Sequence, residues 1–116
     1  MQGSLLMGLG EALQEEVKFD EKGRILNPSF AEYKVPTALD MPNVTPIIVE
    51  SHEPYGPFGA KEVGEGAIMP TIPAILNAVY DATGIRFREL PLTPERVFMA
   101  IQAKKQKSEQ ATNKQG

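Results

Sequence analysis

The middle of the chain, from Asn27 to Gly66, is interrupted by prolines and glycines too often for a helix or a long strand. Proline lacks the backbone N–H that helix and sheet interiors need, and glycine weakens both structures. Regular helices are therefore predicted only on either side of this stretch. A long ordered loop, such as the one predicted from Asn27 to Thr45, is usually functional or held in place by a partner.

Helical patterns occur at both ends of the chain. Ser4 to Val17 carries leucines at helical spacing, with glutamates on the other positions. Gly8 and Gly10 lie inside this helix, although each costs up to about 1 kcal/mol relative to alanine. They indicate that another backbone or a ligand comes close, or that the helix packs tightly against a neighbour.

Two more helices are predicted after the loops. One spans Thr71 to Thr83 and stops at Gly84, a residue suited to the end of a helix. The other opens at Thr93 and Pro94, because threonine caps a helix and proline fits its first turn.

Short β-segments complete the predicted fold. Val17–Phe19 and Arg24–Leu26 flank a turn in which Gly23 can take a positive φ, which indicates a hairpin. Pro46–Glu50 and Ile85–Leu90 are predicted as strands. The expected fold class is α+β, with helices packed on a small mixed sheet and long ordered loops. Residues 1–103 form the domain, and residues 104–116 form a polar, flexible tail.

Composition excludes several kinds of site. The chain has no cysteine and one histidine, so disulfides, thiol catalysis, cysteine-type zinc sites and multi-histidine metal sites are excluded within it. The net charge is -3, and because residues 104–116 carry a net +3, the rest of the chain carries a net -6. An acidic body lacks the clustered Lys and Arg that phosphate contacts need, so nucleic-acid binding is not expected. No apolar run approaches the roughly 20 residues that span a bilayer. With no signal peptide evident, a cytoplasmic location without membrane contact is expected.

Glu65 is the strongest candidate for chemistry. It stands between Gly64 and Gly66, so no neighbouring side chain blocks its entry into a cleft, where it could act as a general base. The alternative is a solvated glutamate on a turn, and composition alone favours that alternative.

Other chemical candidates are weaker. The loop from Gly56 to Lys61 lacks the ending of a phosphate-binding loop, and Gly8-Leu-Gly10 lacks the third glycine of a dinucleotide site. The remaining candidates are interpreted as surface, solvated or packed residues: His52 with Glu53, Lys61, Glu62, Tyr33 and Lys34.

Several motifs in one order resemble a known family. They are Gly8-Leu-Gly-Glu-Ala-Leu-Gln-Glu-Glu16, Asn27-Pro28, Tyr33-Lys-Val-Pro-Thr-Ala-Leu-Asp40, Gly56-Pro-Phe-Gly-Ala-Lys-Glu-Val-Gly-Glu65, Pro70-Thr-Ile-Pro-Ala-Ile-Leu-Asn-Ala-Val-Tyr-Asp-Ala-Thr-Gly84 and Leu90-Pro-Leu-Thr-Pro-Glu95. Together they resemble the C-terminal region of the molybdopterin-binding subunit of the xanthine dehydrogenase and aldehyde oxidase family. The resemblance runs from about Gly3 to Ile101 and is closest in style to bacterial three-subunit enzymes.

This resemblance implies a function. The family hydroxylates purines, aldehydes and N-heterocycles with oxygen taken from water. Its molybdenum is held by the dithiolene of a pterin cofactor, and in most members the protein supplies no direct metal ligand. The glutamate of the Gly-Glu motif is the general base that removes a proton from the metal-bound hydroxyl. The match assigns that role to Glu65, and it makes Gly64 the position where the backbone approaches the cofactor.

The resemblance also implies partners. The expected partners are the rest of the molybdopterin-binding subunit, FAD and iron–sulfur subunits, and a small-molecule substrate. The family's glutamine-containing segment before the first helix has no match here, because Gln2 is out of register. The isolated chain, whether a fragment or a split subunit, is expected to be inactive. Xanthine is favoured only by the style of the motifs, and a non-catalytic interaction module that retains the fold is the alternative.

Overall fold

Three α-helices organise the structure, a computed structural model that describes residues 1–113. They are α1 (Gln2–Leu13), α2 (Ile68–Thr83) and α3 (Pro94–Asn113). All three predicted helices are confirmed, although α1 ends at Leu13 rather than at Val17. None of these described helices is both long enough and apolar enough to pass through a bilayer.

The predicted start and stop signals act as expected. Gly84 follows α2 in the left-handed conformation, with φ of +63°, and its N–H donates to the Tyr80 carbonyl at 2.7 Å. A glycine takes this conformation without the steric penalty of a Cβ. At the start of α3, Thr93 Oγ1 accepts a hydrogen bond from the Arg96 N–H at 3.3 Å.

Close packing explains both glycines of α1. A Cβ on Gly8 would lie 2.8 Å from Thr71 Cβ and 3.1 Å from the Ile68 carbonyl, so Gly8 allows α1 to lie directly against α2. A Cβ on Gly10 would lie 2.7 Å from Pro36 Cδ. Of the explanations left open by the sequence, tight packing against a neighbour is the one that the structure shows.

The predicted α+β fold class is wrong for the described residues, because they contain no strand and no sheet. The hairpin turn does form, with Gly23 at φ of +75°, but its arms meet only in an isolated antiparallel bridge between Phe19 and Ile25. The segments Pro46–Glu50 and Ile85–Leu90 are irregular.

A missing pairing partner accounts for this error. Ile47, Ile48 and Val49 are 74%, 83% and 83% exposed, and no backbone hydrogen bond joins them to another part of the described chain. A strand is stable only when its N–H and C=O groups are paired. The side-chain pattern of a buried strand is therefore present, but none of residues 1–113 pairs with it to form a sheet.

The long loop between α1 and α2 is ordered, as predicted. The Asp40 carboxylate accepts hydrogen bonds from the Thr37 N–H at 2.7 Å and the Thr37 hydroxyl at 2.8 Å, which stabilise a short 3-10 turn at Ala38–Asp40. The buried Asn27 accepts from the Lys18 N–H at 2.8 Å and donates to the Glu16 carbonyl at 2.7 Å. These contacts fix the hairpin to the end of α1.

The chain has almost no interior. Its radius of gyration is 19.6 Å, whereas a compact domain of this length has about 13 Å. Its accessible surface is 9492 Å², and a compact protein of this mass exposes about 6,200 Å². Ala12 and Leu92 are the buried hydrophobic residues, and they meet where the Leu92 N–H donates to the Ala12 carbonyl at 2.6 Å. The chain therefore exposes about 3,300 Å² more surface than a compact protein of its mass.

We expect the isolated chain to self-associate in solution. Its large apolar side chains stand in water, and patches of this kind rarely stay bare on a monomer; the most exposed are Phe30, Leu39, Ile48, Tyr55 and Phe58. Sedimentation equilibrium should show a mean mass that rises with protein concentration. A constant monomer mass over the whole concentration range would contradict this expectation.

The C-terminal tail is expected to be dispensable for stability. Helix α3 continues into it, and the side chains from Ala103 to Ala111 are exposed. Residues 114–116 of the predicted tail lie outside the described residues. Removal of residues 108–116 should leave the melting temperature of the chain nearly unchanged, because little apolar surface is lost. A fall of several degrees in thermal unfolding would show that the tail packs against the body.

Candidate functional site

Glu65 lies on a turn that leads directly into α2. The turn covers Gly64 to Ala67, and the Glu65 carbonyl accepts a hydrogen bond from the Ile68 N–H at 3.0 Å. The backbone of Glu65 is thus continuous with the first turn of the helix, while its side chain is exposed. Helix α2 is in turn held against α1 by the close contact at Gly8.

Two side chains hold the turn from opposite sides. Glu62 Oε1 accepts a hydrogen bond from the Glu65 N–H at 2.8 Å. The Ser4 hydroxyl, from the buried face of α1, donates to the Gly64 carbonyl. Sequence reasoning missed both contacts. Ser4 is remote in sequence and carries no motif of its own, and Glu62 could have been found only from its position three residues before Glu65.

Glycines flank Glu65 on both sides, and the position of Gly66 is open. A Cβ added to Gly66 would meet no atom within 4 Å, and one added to Gly64 would approach only Glu62 Oε1, at 3.0 Å. A ligand can therefore approach the backbone at Gly66 without displacing this chain, whereas at Gly64 the flexible Glu62 side chain would have to give way. Chemically, the turn presents a carboxylate that can accept a proton or a hydrogen bond.

The sequence predicts that Glu65 enters a cleft, but its side chain is exposed in this structure. Two open clefts lie elsewhere on the surface, one between α3 and the Ile85–Glu89 segment and one between Ile47–His52 and Phe58–Val63, and Glu65 lines neither. Glu65 is thus an exposed carboxylate that lies outside both of these clefts.

The Gly-rich loop before the turn is braced by its own contacts. The Glu53 N–H donates to the Gly59 carbonyl at 3.0 Å, and Lys61 Nζ lies 3.7 Å from Glu53 Oε2. Gly59 adopts a φ of +73°, which glycine tolerates and most residues do not. These contacts join the beginning of the loop, at Glu53, to its end, at Gly59 and Lys61, shortly before Glu65 in the chain.

The weaker candidates occupy surface positions. His52 is exposed, with Nε2 at 3.8 Å from Glu50 Oε2, and Lys34 Nζ donates to the Ala31 carbonyl at 3.0 Å. The Tyr33 hydroxyl donates to Glu15 Oε2 at 2.9 Å, and this hydrogen bond raises the pKa of Tyr33 above its usual value. Its contact joins the long loop to α1. The structure does not bring any of these three residues to Glu65.

Carboxylate, thiol and imidazole groups do not gather into a metal site. Within residues 1–113, no group of three or more such side chains could hold a metal ion.

Comparison with known proteins gives a consistent result. Residues 1–42 match the family model described as a molybdopterin cofactor-binding domain. The chain is 44% identical over 97 residues to the xanthine dehydrogenase molybdenum-binding subunit of Escherichia coli, covering 83% of this chain and 13% of that subunit. It is 40% identical over 103 residues to the 6-hydroxypseudooxynicotine dehydrogenase complex subunit gamma of Paenarthrobacter nicotinovorans, covering 86% of this chain and 13% of that protein.

Solved structures show the same relationship. The crystal structure of quinoline 2-oxidoreductase from Pseudomonas putida superposes with a TM-score of 0.78 and 32% identity, over 87% of this chain and 13% of that one. The CO dehydrogenase from Oligotropha carboxidovorans superposes with a TM-score of 0.74 and 28% identity, over 85% of this chain and 13% of that one. The chain thus spans about 13% of the length of these relatives.

Proposed function

Because the chain belongs to the xanthine dehydrogenase and aldehyde oxidase family of molybdenum hydroxylases, as a segment of the molybdopterin-binding subunit, we propose that it carries the catalytic base, Glu65. The observation that supports this role is the exposed carboxylate on a turn flanked by two glycines. Such a turn can face a cofactor and a substrate at once. In the assembled enzyme the rest of the subunit supplies the remaining walls.

The turn fits a molybdenum–molybdopterin cofactor. Gly66 has no atom within 4 Å of the place where a Cβ would stand, and at Gly64 that place is approached by the flexible Glu62 side chain, so the backbone here can come close to a large ligand. We assign Gly64 as the cofactor-binding position of this chain. When bound, the cofactor supplies the redox centre that oxidises the substrate.

Glu65 takes up the proton that the nucleophile loses in the reaction. One of its carboxylate oxygens accepts the proton of the water-derived nucleophile, which makes that nucleophile reactive towards the substrate carbon. The walls provided by the rest of the subunit exclude bulk water and keep the carboxylate in place. The substrate is a purine, an N-heterocycle or an aldehyde.

The complete enzyme contains more than this chain. We propose that it includes the rest of the molybdopterin-binding subunit together with FAD and iron–sulfur subunits, and that it works in the cytoplasm. The extended shape and the excess exposed surface support a partner of substantial size. Alone, the chain is inactive, because one carboxylate without the other walls cannot organise a reaction.

A chimeric enzyme tests this proposal. The chain replaces the matching segment of the Escherichia coli xanthine dehydrogenase molybdenum-binding subunit, to which it is 44% identical. We expect the purified chimera to contain molybdenum and to oxidise substrate, whereas the same subunit with that segment deleted should do neither. A folded chimera with full molybdenum content and no turnover would favour the non-catalytic interaction module.

A further inference from the structure

The peptide unit between Gly64 and Glu65 is held at both of its polar atoms. Its carbonyl oxygen, on Gly64, accepts from the Ser4 hydroxyl, and its N–H, on Glu65, donates to Glu62 Oε1 at 2.8 Å. The two side chains come from different parts of the chain, because Ser4 belongs to α1 and Glu62 to the loop before the turn.

We propose that Ser4 and Glu62 are positioning residues that set the direction in which the Glu65 carboxylate points. This inference rests on the proposed function of Glu65 as the general base. It deepens that function, because it assigns the orientation of the base to two residues that act through the peptide unit between Gly64 and Glu65.

Planarity of the peptide bond gives the physical reason. A peptide unit is rigid, so fixing its oxygen and its N–H fixes the orientation of its plane. That plane ends at the Glu65 Cα, and its orientation limits where the side chain can be directed. Gly64 has no Cβ to restrict its own backbone, so the turn needs restraint from outside.

Small errors in the direction of a base have large effects. A general base must come within hydrogen-bonding distance of the proton that it removes, and a displacement of about 1 Å can cost about 10²-fold in rate. Ser4 is buried, and its helix packs against α2 at Gly8, so its hydroxyl is a firm anchor for the carbonyl. Glu62 is exposed, and its contact is the one that substitution can probe most cleanly.

Variants of Glu62 in the chimeric enzyme test the inference. Glu62→Ala removes the acceptor, and Glu62→Gln keeps an oxygen that can accept the same hydrogen bond. For Glu62→Ala we expect hydrogen exchange of the Glu65 amide, measured by residue-resolved mass spectrometry, to accelerate on the order of tenfold. The value of kcat should fall by a similar factor with KM nearly unchanged. In Glu62→Gln the exchange rate of the Glu65 amide and kcat should both stay close to those of the parent enzyme. Ser4→Ala removes the hydrogen-bond donor to the Gly64 carbonyl, and it should likewise lower kcat.

The outcomes separate this inference from the proposed function. If Glu62→Ala left the Glu65 amide exchange unchanged, or loosened it without lowering kcat, the positioning role would be refuted. Equal losses of kcat in Glu62→Ala and Glu62→Gln would refute the positioning role as well. The loss would then follow from the charge of Glu62 and not from its hydrogen bond to the Glu65 amide. Unchanged exchange within α2 and equal molybdenum content show that the variants are folded. The exchange result does not depend on whether Glu65 is the base, which is decided by Glu65→Gln.

Discussion

Replacement of Gly8 by alanine is expected to destabilise the contact between α1 and α2 by about 1–3 kcal/mol, the usual cost of an added methyl group in a close-packed contact. The new Cβ would lie 2.8 Å from Thr71 Cβ and 3.1 Å from the Ile68 carbonyl. Neither atom is the end of a flexible side chain, so the helices must move apart. Amide hydrogen exchange in α1 of the chain should then accelerate by about 5- to 150-fold, because local opening becomes easier.

Gly3→Ala is the matched control for this substitution. Gly3 lies in the same helix, and a Cβ there would meet no atom within 4 Å. Alanine should stabilise the helix at this position by up to about 1 kcal/mol relative to glycine. Exchange in α1 should therefore slow or stay the same. If Gly8→Ala also slowed exchange, helix propensity would outweigh packing, and the explanation given for Gly8 would be wrong.

Substitution of Glu65 by glutamine is expected to reduce the turnover of the chimeric enzyme by about 10²–10⁴-fold, the usual contribution of a positioned general base. Glutamine has nearly the same shape and can form hydrogen bonds, but it cannot take up the proton. Molybdenum content and subunit assembly should stay normal, because glutamine is nearly the same size as glutamate and the Glu65 side chain is exposed in this chain. Steady-state kinetics and metal analysis of the purified enzyme measure both quantities.

Glu109→Gln is the control variant, because it removes a carboxylate at a position that has no proposed role in the reaction. Glu109 is an exposed residue of α3, in the tail that we expect to be dispensable. Its substitution should leave kcat within about twofold of the parent, since surface substitutions away from special features usually change little. A similar loss in both variants would point to a general effect of charge rather than to a role of Glu65.

The helices could be predicted because their signals are local. Thr93 and Gly84 act through hydrogen bonds to residues only a few positions away, and the spacing of the leucines in α1 describes one helix face. The glycines of α1 showed that something packs closely there. Their neighbours, Thr71 and Pro36, could not be identified from the sequence, because such contacts depend on how distant segments come together.

The sheet was wrongly predicted because strand pairing is not a local property. Ile47, Ile48 and Val49 have the side chains of a buried strand. A single segment cannot satisfy its own backbone groups, and among the described residues nothing pairs with it.

For the candidate site, the sequence predicted the residue but not its surroundings. Two sequence features indicated Glu65: the glycines beside it and the resemblance to the molybdenum hydroxylases. The catalytic role of Glu65 stays a prediction. The open position of the carboxylate and the contacts of Ser4 and Glu62 came only from the structure. Ser4 in particular is brought to the turn by the packing of α1 on α2.

The most direct test of Glu65 as the base is the rate of the reductive half-reaction. Chimeric enzymes with Glu65 or Glu65→Gln are mixed anaerobically with substrate at equal molybdenum content, and reduction of the enzyme is followed in a single turnover. We predict that the glutamine variant is reduced about 10²–10⁴-fold more slowly. Equal rates of reduction in the two enzymes would contradict the assignment of Glu65 as the catalytic base.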